Sequence, residues 1–131
     1  MIKYTIPLLR KSKSPVIINL SSEQVKKVKK KSAPYAVSKA AIESLTKIAA
    51  LELLEDKIRV NAIELASVNT NFIREYIGDD KKMEKMIKSA DKEMPYGIIN
   101  VNDVWKIVSY LIEDDNKVTG QIILIDSGTT I

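Results

Sequence analysis

The sequence predicts an α/β chain, a parallel sheet of about three strands with flanking helices. Three observations carry this. First, short β-branched runs recur at Pro15–Leu20, Ile58–Ile63 and Gln121–Asp126, each apolar enough to be covered on both faces. Second, longer segments with helical spacing separate them, so strand and helix alternate; strands joined in this way pair in parallel through right-handed crossovers. Third, the chain has 131 residues and is 45% hydrophobic and 29% charged. That supplies a core for a single domain over residues 1–131 and is too apolar for disorder.

The elements follow in order. Met1–Lys11 carries Ile2, Ile6, Leu8 and Leu9 and reads as the last turns of a helix, interrupted by Pro7. Pro15–Leu20 is the first strand. Ser21–Ser32 is polar, holds Lys26, Lys27, Lys29, Lys30 and Lys31, and reads as a loop. Ser32 stands at an N-cap position, with Pro34 in the first turn of a helix running to about Leu54. Ile42, Leu45, Ala49 and Leu53 give it one apolar face. Ile58–Ile63 is the second strand and Glu64–Thr70 a polar loop. Residues 71–90 read as one or two helices broken at Gly78, with Met83, Met86 and Ile87 on one face. Residues 94–100 look irregular. A last helix opens at Val101 or Asn102, buries Val104, Trp105, Val108 and Leu111, and ends at Asp114-Asp115-Asn116. Gly120 then leads into the third strand.

Composition removes several chemistries. There is no cysteine and no histidine, so disulfides, thiolate nucleophiles, Ser-His-Asp hydrolysis and His-based metal sites are excluded. Asp79-Asp80 and Asp114-Asp115 read as solvated helix ends, and no metal is expected. The four glycines, Gly78, Gly97, Gly120 and Gly128, cannot make G-x-G-x-x-G or a P-loop. The net charge of +4 is mild. The five loop lysines could release counterions from nucleic acid, but no aromatic interleaves them, and stacking platforms need one. They read as a solvated rim, so no nucleic-acid partner is expected. No run approaches the roughly 20 apolar residues of a membrane span, and no secretory leader is visible at residues 1–14. A cytoplasmic protein without membrane contact is expected.

One constellation points to catalysis. Tyr35 and Lys39 are four apart at the start of the long helix and share a face. Ser22 lies thirteen residues earlier, where the first strand ends. In open α/β sheets that edge, beside the N-terminus of the next helix, is where ligands bind. A cation beside a phenol favours the phenolate, and such a tyrosine can exchange a proton with an alcohol or carbonyl. Taken alone, Tyr-x-x-x-Lys is also an ordinary pair on a helix surface.

Its surroundings are more specific. Ile17-Ile18-Asn19-Leu20-Ser21-Ser22, Tyr35-Ala36-Val37-Ser38-Lys39-Ala40-Ala41, Arg59-Val60-Asn61-Ala62-Ile63, Val118-Thr119-Gly120-Gln121 and Asp126-Ser127-Gly128 occur in that order. Together they resemble the C-terminal half of the short-chain dehydrogenase/reductase family, from about Pro7 to Gly128. The resemblance implies a partial Rossmann-like doubly wound parallel sheet. It also implies reversible hydride transfer between NAD or NADP and a small-molecule alcohol/carbonyl pair. By the same resemblance Tyr35 is the general acid/base, and Lys39 lowers its pKa and binds the nicotinamide ribose. Ser22 orients the substrate oxygen. The Val68 amide holds the nicotinamide carboxamide, and Thr70 contacts the cofactor. Residues 71–90 become a lid over the substrate. The pattern is similar to both aldose dehydrogenases and 3-oxoacyl-carrier-protein reductases.

Two departures temper what the resemblance implies. Leu65-Ala66 stands where the family has Pro-Gly, which puts a Cβ where backbone approaches the cofactor. The family's glycine-rich turn, its NAD/NADP-discriminating residue and its catalytic Asn have no counterpart in these residues. The chain is therefore expected not to turn over alone. It reads either as the catalytic half of an enzyme or as a non-catalytic module that pairs with a complementary or full-length relative. The first strand becomes an apolar sheet edge, and in the family the helix of Tyr35 builds a subunit interface. A homo-oligomer, or a complex with a complementary N-terminal half, is expected.

Overall fold

The computed structural model describes residues 2–70, 75 and 78–131, less the side chains of Met86 and Asp91. Helix α1 (Ile2–Leu9) leads into β1 (Val16–Ser22), and a 3₁₀ turn (Glu23–Val25) and loop connect to α2 (Ala33–Glu52). Strand β2 (Arg59–Leu65), the two-residue β3 (Val68–Asn69), α3 (Asp80–Glu93), β4 (Ile99–Asn100), α4 (Val101–Ile112) and β5 (Ile122–Ile125) complete the order. The main sheet is parallel, in the order β1-β2-β5, as the alternation of strands and helices predicts. Its register pairs Ser22 with Leu65 and Leu65 with Ile125. The three strands thus finish together at one edge.

The central strand explains the stability of the sheet. Val60, Ala62 and Ile63 are completely buried. Val60, with Ala49 and Ala50 of α2, Leu53 at the C-cap of that helix and Ile58, forms the main apolar cluster, covered by Ile6 and Leu9 of α1 and Ile17 of β1. α1 is thus a working layer of the core despite Pro7 inside it. Arg10 ties it down with a bidentate pair to Asp56, at 2.8 and 2.9 Å. The polar positions at this layer are satisfied in series. Asn19 Nδ2 donates to Thr46 Oγ1 at 2.9 Å, and Thr46 Oγ1 donates to Ile42 O at 2.8 Å.

The structure corrects several local expectations. The buried face of α2 runs through Thr46, Ala49 and Ala50, while Leu45 is 49% exposed. Val37, Ile48 and Leu51 are exposed with it, giving α2 a second apolar face that nothing among the described residues covers. Trp105 is 55% exposed and is not core; Leu111 takes that role on α4. Ser32 makes no side-chain cap, because its hydroxyl donates to Lys29 O at 2.7 Å in the preceding turn. Residues 94–100 are less irregular than they read. Ile99–Asn100 pairs in parallel with Val68–Asn69, a ladder too short to leave a periodic signal. Of the helical region expected at 71–90, α3 accounts for residue 80 onward, capped by Asp79, whose carboxylate accepts from the Lys81 and Lys82 amides. Residues 71–74, 76 and 77, and the side chain of Met86, lie outside the described residues.

Helix α4 starts with a capping box. Asn100 accepts from the Asp103 amide at 3.2 Å, and Asp103 accepts from the Asn100 amide at 3.1 Å. Asn100→Ala removes one arm of it and is expected to lower stability by about 1 kcal/mol, read as a shifted urea midpoint.

Candidate active site

Ser22 and Leu65 lie side by side at the C-terminal edge of the sheet. Ser22 is extended, with φ −150° and ψ 144°, and its Oγ caps the following turn by accepting from the Gln24 amide at 3.3 Å. Among the described residues its hydroxyl hydrogen has no acceptor. The group is thus held by the backbone and left free to donate. Tyr35 enters from the first turn of α2 and is 45% exposed. Lys39 follows one turn later, its Nζ 5.6 Å from the Tyr35 ring centroid, within the range where a cation and a π face attract. Lys39 Nζ also donates to Leu20 O at 3.0 Å. An ammonium has three donors, so two remain for a ligand.

These side chains border one cavity of about 500 Å³, whose wall includes Ser22, Tyr35, Lys39, Leu65, Ala66, Val68 and Thr70. All five residues singled out in the sequence therefore meet at a single opening. Val68 is fixed there by its pairing with Ile99. Ala66 is anchored through its amide to Ile125 O at 3.0 Å. It lies outside the left-handed region, so alanine is unstrained where the resembling pattern has glycine, and its methyl occupies the wall.

Sequence reasoning missed the polar network beneath the loop after Ser22. Glu64, on the central strand, is completely buried, and Lys26 Nζ reaches its Oε2 at 2.7 Å. The contact is one of charges more than an aligned hydrogen bond, and Glu64 Oε1 has no donor. Glu23 is nearly buried; its Oε2 accepts from Thr129 Oγ1 at 2.7 Å and its Oε1 lies 3.8 Å from Lys29 Nζ. Lys27 pairs with Glu93 at 3.7 Å. Lys26 and Lys27 thus staple the loop to the sheet and to α3, Lys29 approaches Glu23 within the loop, and Glu23 itself reaches the C-terminal segment through Thr129. In the sequence Glu64 reads as the first residue of the polar loop Glu64–Thr70, whereas the structure places it inside β2.

The C-terminal segment is held by Asp126. The Thr130 hydroxyl at 2.6 Å, with the Gly128 and Thr130 amides at 3.0 and 2.9 Å, keeps its carboxyl below the usual carboxylate range. A depressed folded-state pKa contributes stability that is present above the unfolded value, about 3.9, and lost as pH falls through the folded value. Asp126→Asn is therefore expected to lower the melting temperature at pH 7, and the gap to wild type should close as pH drops below about 3.9. Thermal melts from pH 7 to pH 2 check it.

Among the described residues no helix is long and apolar enough to cross a membrane, and no cluster of acidic side chains could hold a metal.

Comparison with known proteins adds the lineage. A family model described as enoyl-(acyl carrier protein) reductase matches residues 1–130. A short-chain dehydrogenase/reductase homolog of Bacillus subtilis, YusR, is 39% identical over 126 residues, 96% of this chain and 92% of that protein. Other curated relatives are longer, and the chain spans between 34% and 54% of their lengths. The ligand-free aldohexose dehydrogenase of Thermoplasma acidophilum superposes with a TM-score of 0.87 at 30% identity, covering 98% of this chain and 52% of that one. A 4-hydroxyisoleucine dehydrogenase complexed with NADH gives 0.79 at 30% identity, covering 98% and 53%. The ordered motifs, the parallel sheet and these matches agree: the chain belongs to the short-chain dehydrogenase/reductase family, whose members are NAD(P)-dependent oxidoreductases built on a Rossmann fold.

Proposed function

We propose that this chain supplies the acid/base half of an NAD(P)-dependent oxidoreductase acting on a small-molecule alcohol/carbonyl pair. The observation that supports it most is the convergence of Ser22, Tyr35 and Lys39, with Val68 and Thr70, on one cavity. Tyr35 passes a proton between its phenol oxygen and the substrate oxygen. Ser22, braced by the Gln24 amide, donates its hydroxyl hydrogen to that same oxygen and fixes its direction. Lys39 keeps its ammonium over the Tyr35 ring. The donor set fits the nicotinamide end of the cofactor: two free ammonium donors for ribose hydroxyls, and the Val68 and Thr70 segment for the carboxamide side. When bound, the cofactor supplies or accepts the hydride.

The phosphate end has no counterpart among these residues, since the sequence contains no G-x-G-x-x-G turn. The rest of the cofactor site belongs to a segment that docks on the free edge of β1, in the same or another polypeptide, and the chain is the C-terminal catalytic unit of that assembly. The exposed Leu20 and the open strand edge support this. The uncovered face of α2, with Val37, Leu45, Ile48 and Leu51, favours a second copy as an additional partner. The cysteine-free composition suits the cytoplasm. By resemblance the substrate is an aldose-like or a 3-oxoacyl-like carbonyl.

The alternative is an interaction module without catalysis, favoured by the same open edge and apolar helix face. The discriminating experiment is NAD(P)H-dependent reduction of a carbonyl panel by the chain mixed with the N-terminal half of a full-length relative. Turnover lost in Tyr35→Phe supports the enzyme reading; a stable complex without turnover supports the module.

A further inference from the structure

Behind the cavity, β1 and α2 are joined by hydrogen-bonded side chains. Side chains alternate along a strand. Asn19 and Ser21 face α2, where they meet Thr46 and Glu43, and Ser22 takes the opposite face of the pleat. Buried Ser21 donates its one hydroxyl hydrogen to Glu43 Oε1 at 2.6 Å, a length usual for a hydroxyl on a carboxylate. Its oxygen also lies 3.4 Å from Lys39 O. Strand and helix run in opposite directions, so the later strand residue meets the earlier helix residue. Both pairs hold the same register. One step further along, Lys39 Nζ grips Leu20 O at 3.0 Å. Apolar contact is non-directional and lets a helix slide along a strand; a hydrogen bond fixes distance and angle.

We propose that Glu43 is a positioning residue: through Ser21 it sets where Ser22 stands relative to Tyr35 and Lys39. This rests on reading the cavity as the oxidoreductase site. Glu43 is half-buried, one turn beyond Lys39 on α2, and is not part of the cavity wall. Its one hydrogen-bond partner among the described residues is the Ser21 hydroxyl. Lys39 also serves the cavity, so the Glu43 contact is the tie whose effect can be separated from ligand binding. The restraint matters because β1 is an outer strand among the described residues, with a neighbour on one side only. Ser22 follows Ser21 directly, so a strand end that drifts from α2 carries Ser22 away from Tyr35. A misplacement of about 1 Å at a reacting centre can cost on the order of 10²-fold in rate.

The test uses the isotope-labelled chain and two reporters. The Gln24 amide reports Ser22 through its bond to Ser22 Oγ, and the Lys39 ε-methylene protons report the ammonium over the Tyr35 ring. Glu43→Leu is expected to speed hydrogen exchange of the Gln24 amide about tenfold relative to the α4 amides, the effect of one lost hydrogen bond. It is also expected to move the Lys39 signal toward that of a free lysine. Ser21→Ala should do the same, and the double variant should do no more than either single. Glu43→Gln, which keeps an acceptor in place, is expected to stay near wild type. Unmoved reporters in Glu43→Leu, an equal acceleration at all amides, or a Glu43→Gln variant as disturbed as Glu43→Leu overturns the proposal. In the turnover assay with the complementary half, Glu43→Leu is expected to lower kcat about tenfold with little change in KM, and Glu43→Gln to restore it. Unchanged kcat in an active mixture also overturns the proposal. A wild-type mixture without turnover overturns the catalytic reading alone, and the exchange and Lys39 signals still decide whether Glu43 holds Ser22 in place.

Discussion

Tyr35→Phe is expected to lower hydride transfer by about 10²–10⁴-fold, the usual contribution of one positioned acid/base group, while cofactor affinity changes little. The substitution removes only the phenol oxygen. The ring stays over the first turn of α2, and Lys39 keeps both the aromatic face and its bond to Leu20 O. What vanishes is the phenol group that, in the proposed reading, exchanges a proton with a substrate oxygen next to the Ser22 hydroxyl. With no histidine or cysteine in the sequence, little else here can substitute. Ser22→Ala should be milder, because it costs orientation and one hydrogen bond. Steady-state rates with both variants, in the presence of the complementary half, check the order of effects.

Lys26→Met is expected to be the most destabilising single change in the loop, by about 3 kcal/mol, near the low end for breaking a buried ion pair. Glu64 is completely buried on the central strand, and among the described residues Lys26 supplies its one close cation. Removing that cation leaves a carboxylate with no donor on Oε1 and nothing opposite Oε2. The figure is kept low because the Lys26 side chain is 51% exposed, so water screens part of the attraction. For a chain of this length the loss corresponds to a fall of about 10 °C in Tm. The double variant Lys26→Met with Glu64→Leu is expected to recover most of it, because replacing a buried pair by apolar residues of similar volume is often neutral or stabilising. Melting curves of the two singles and the double form a cycle that measures the coupling directly.

The fold was legible where pattern and burial coincide. The three main strands and the helices α2 and α4 were marked by β-branched runs and by helical spacing. The edge bearing the site was legible for the same reason: strand ends and the next helix start must meet there. Other features were written in contacts between distant residues, which spacing does not encode. The β3–β4 ladder has two residues a side, below any periodic signal. Leu45 and Thr46 exchanged roles on α2 because Asn19 gives the Thr46 hydroxyl a partner, and a satisfied polar group can take a buried place from a leucine. Trp105 is exposed although its helix pattern reads as core. The loop lysines read as solvated because their acidic partners Glu64 and Glu93 lie far along the chain.

The central claim is that these residues hold proton-transfer chemistry that becomes productive only when a dinucleotide-binding segment completes the site. The most direct measurement is NAD(P)H-dependent carbonyl reduction by the chain alone, by the N-terminal half of a full-length relative alone, and by the two mixed. The account predicts no turnover from either part, turnover from the mixture, and loss of that turnover with Tyr35→Phe while nicotinamide binding to the mixture survives. Turnover by a mixture carrying Tyr35→Phe at the wild-type rate would contradict it.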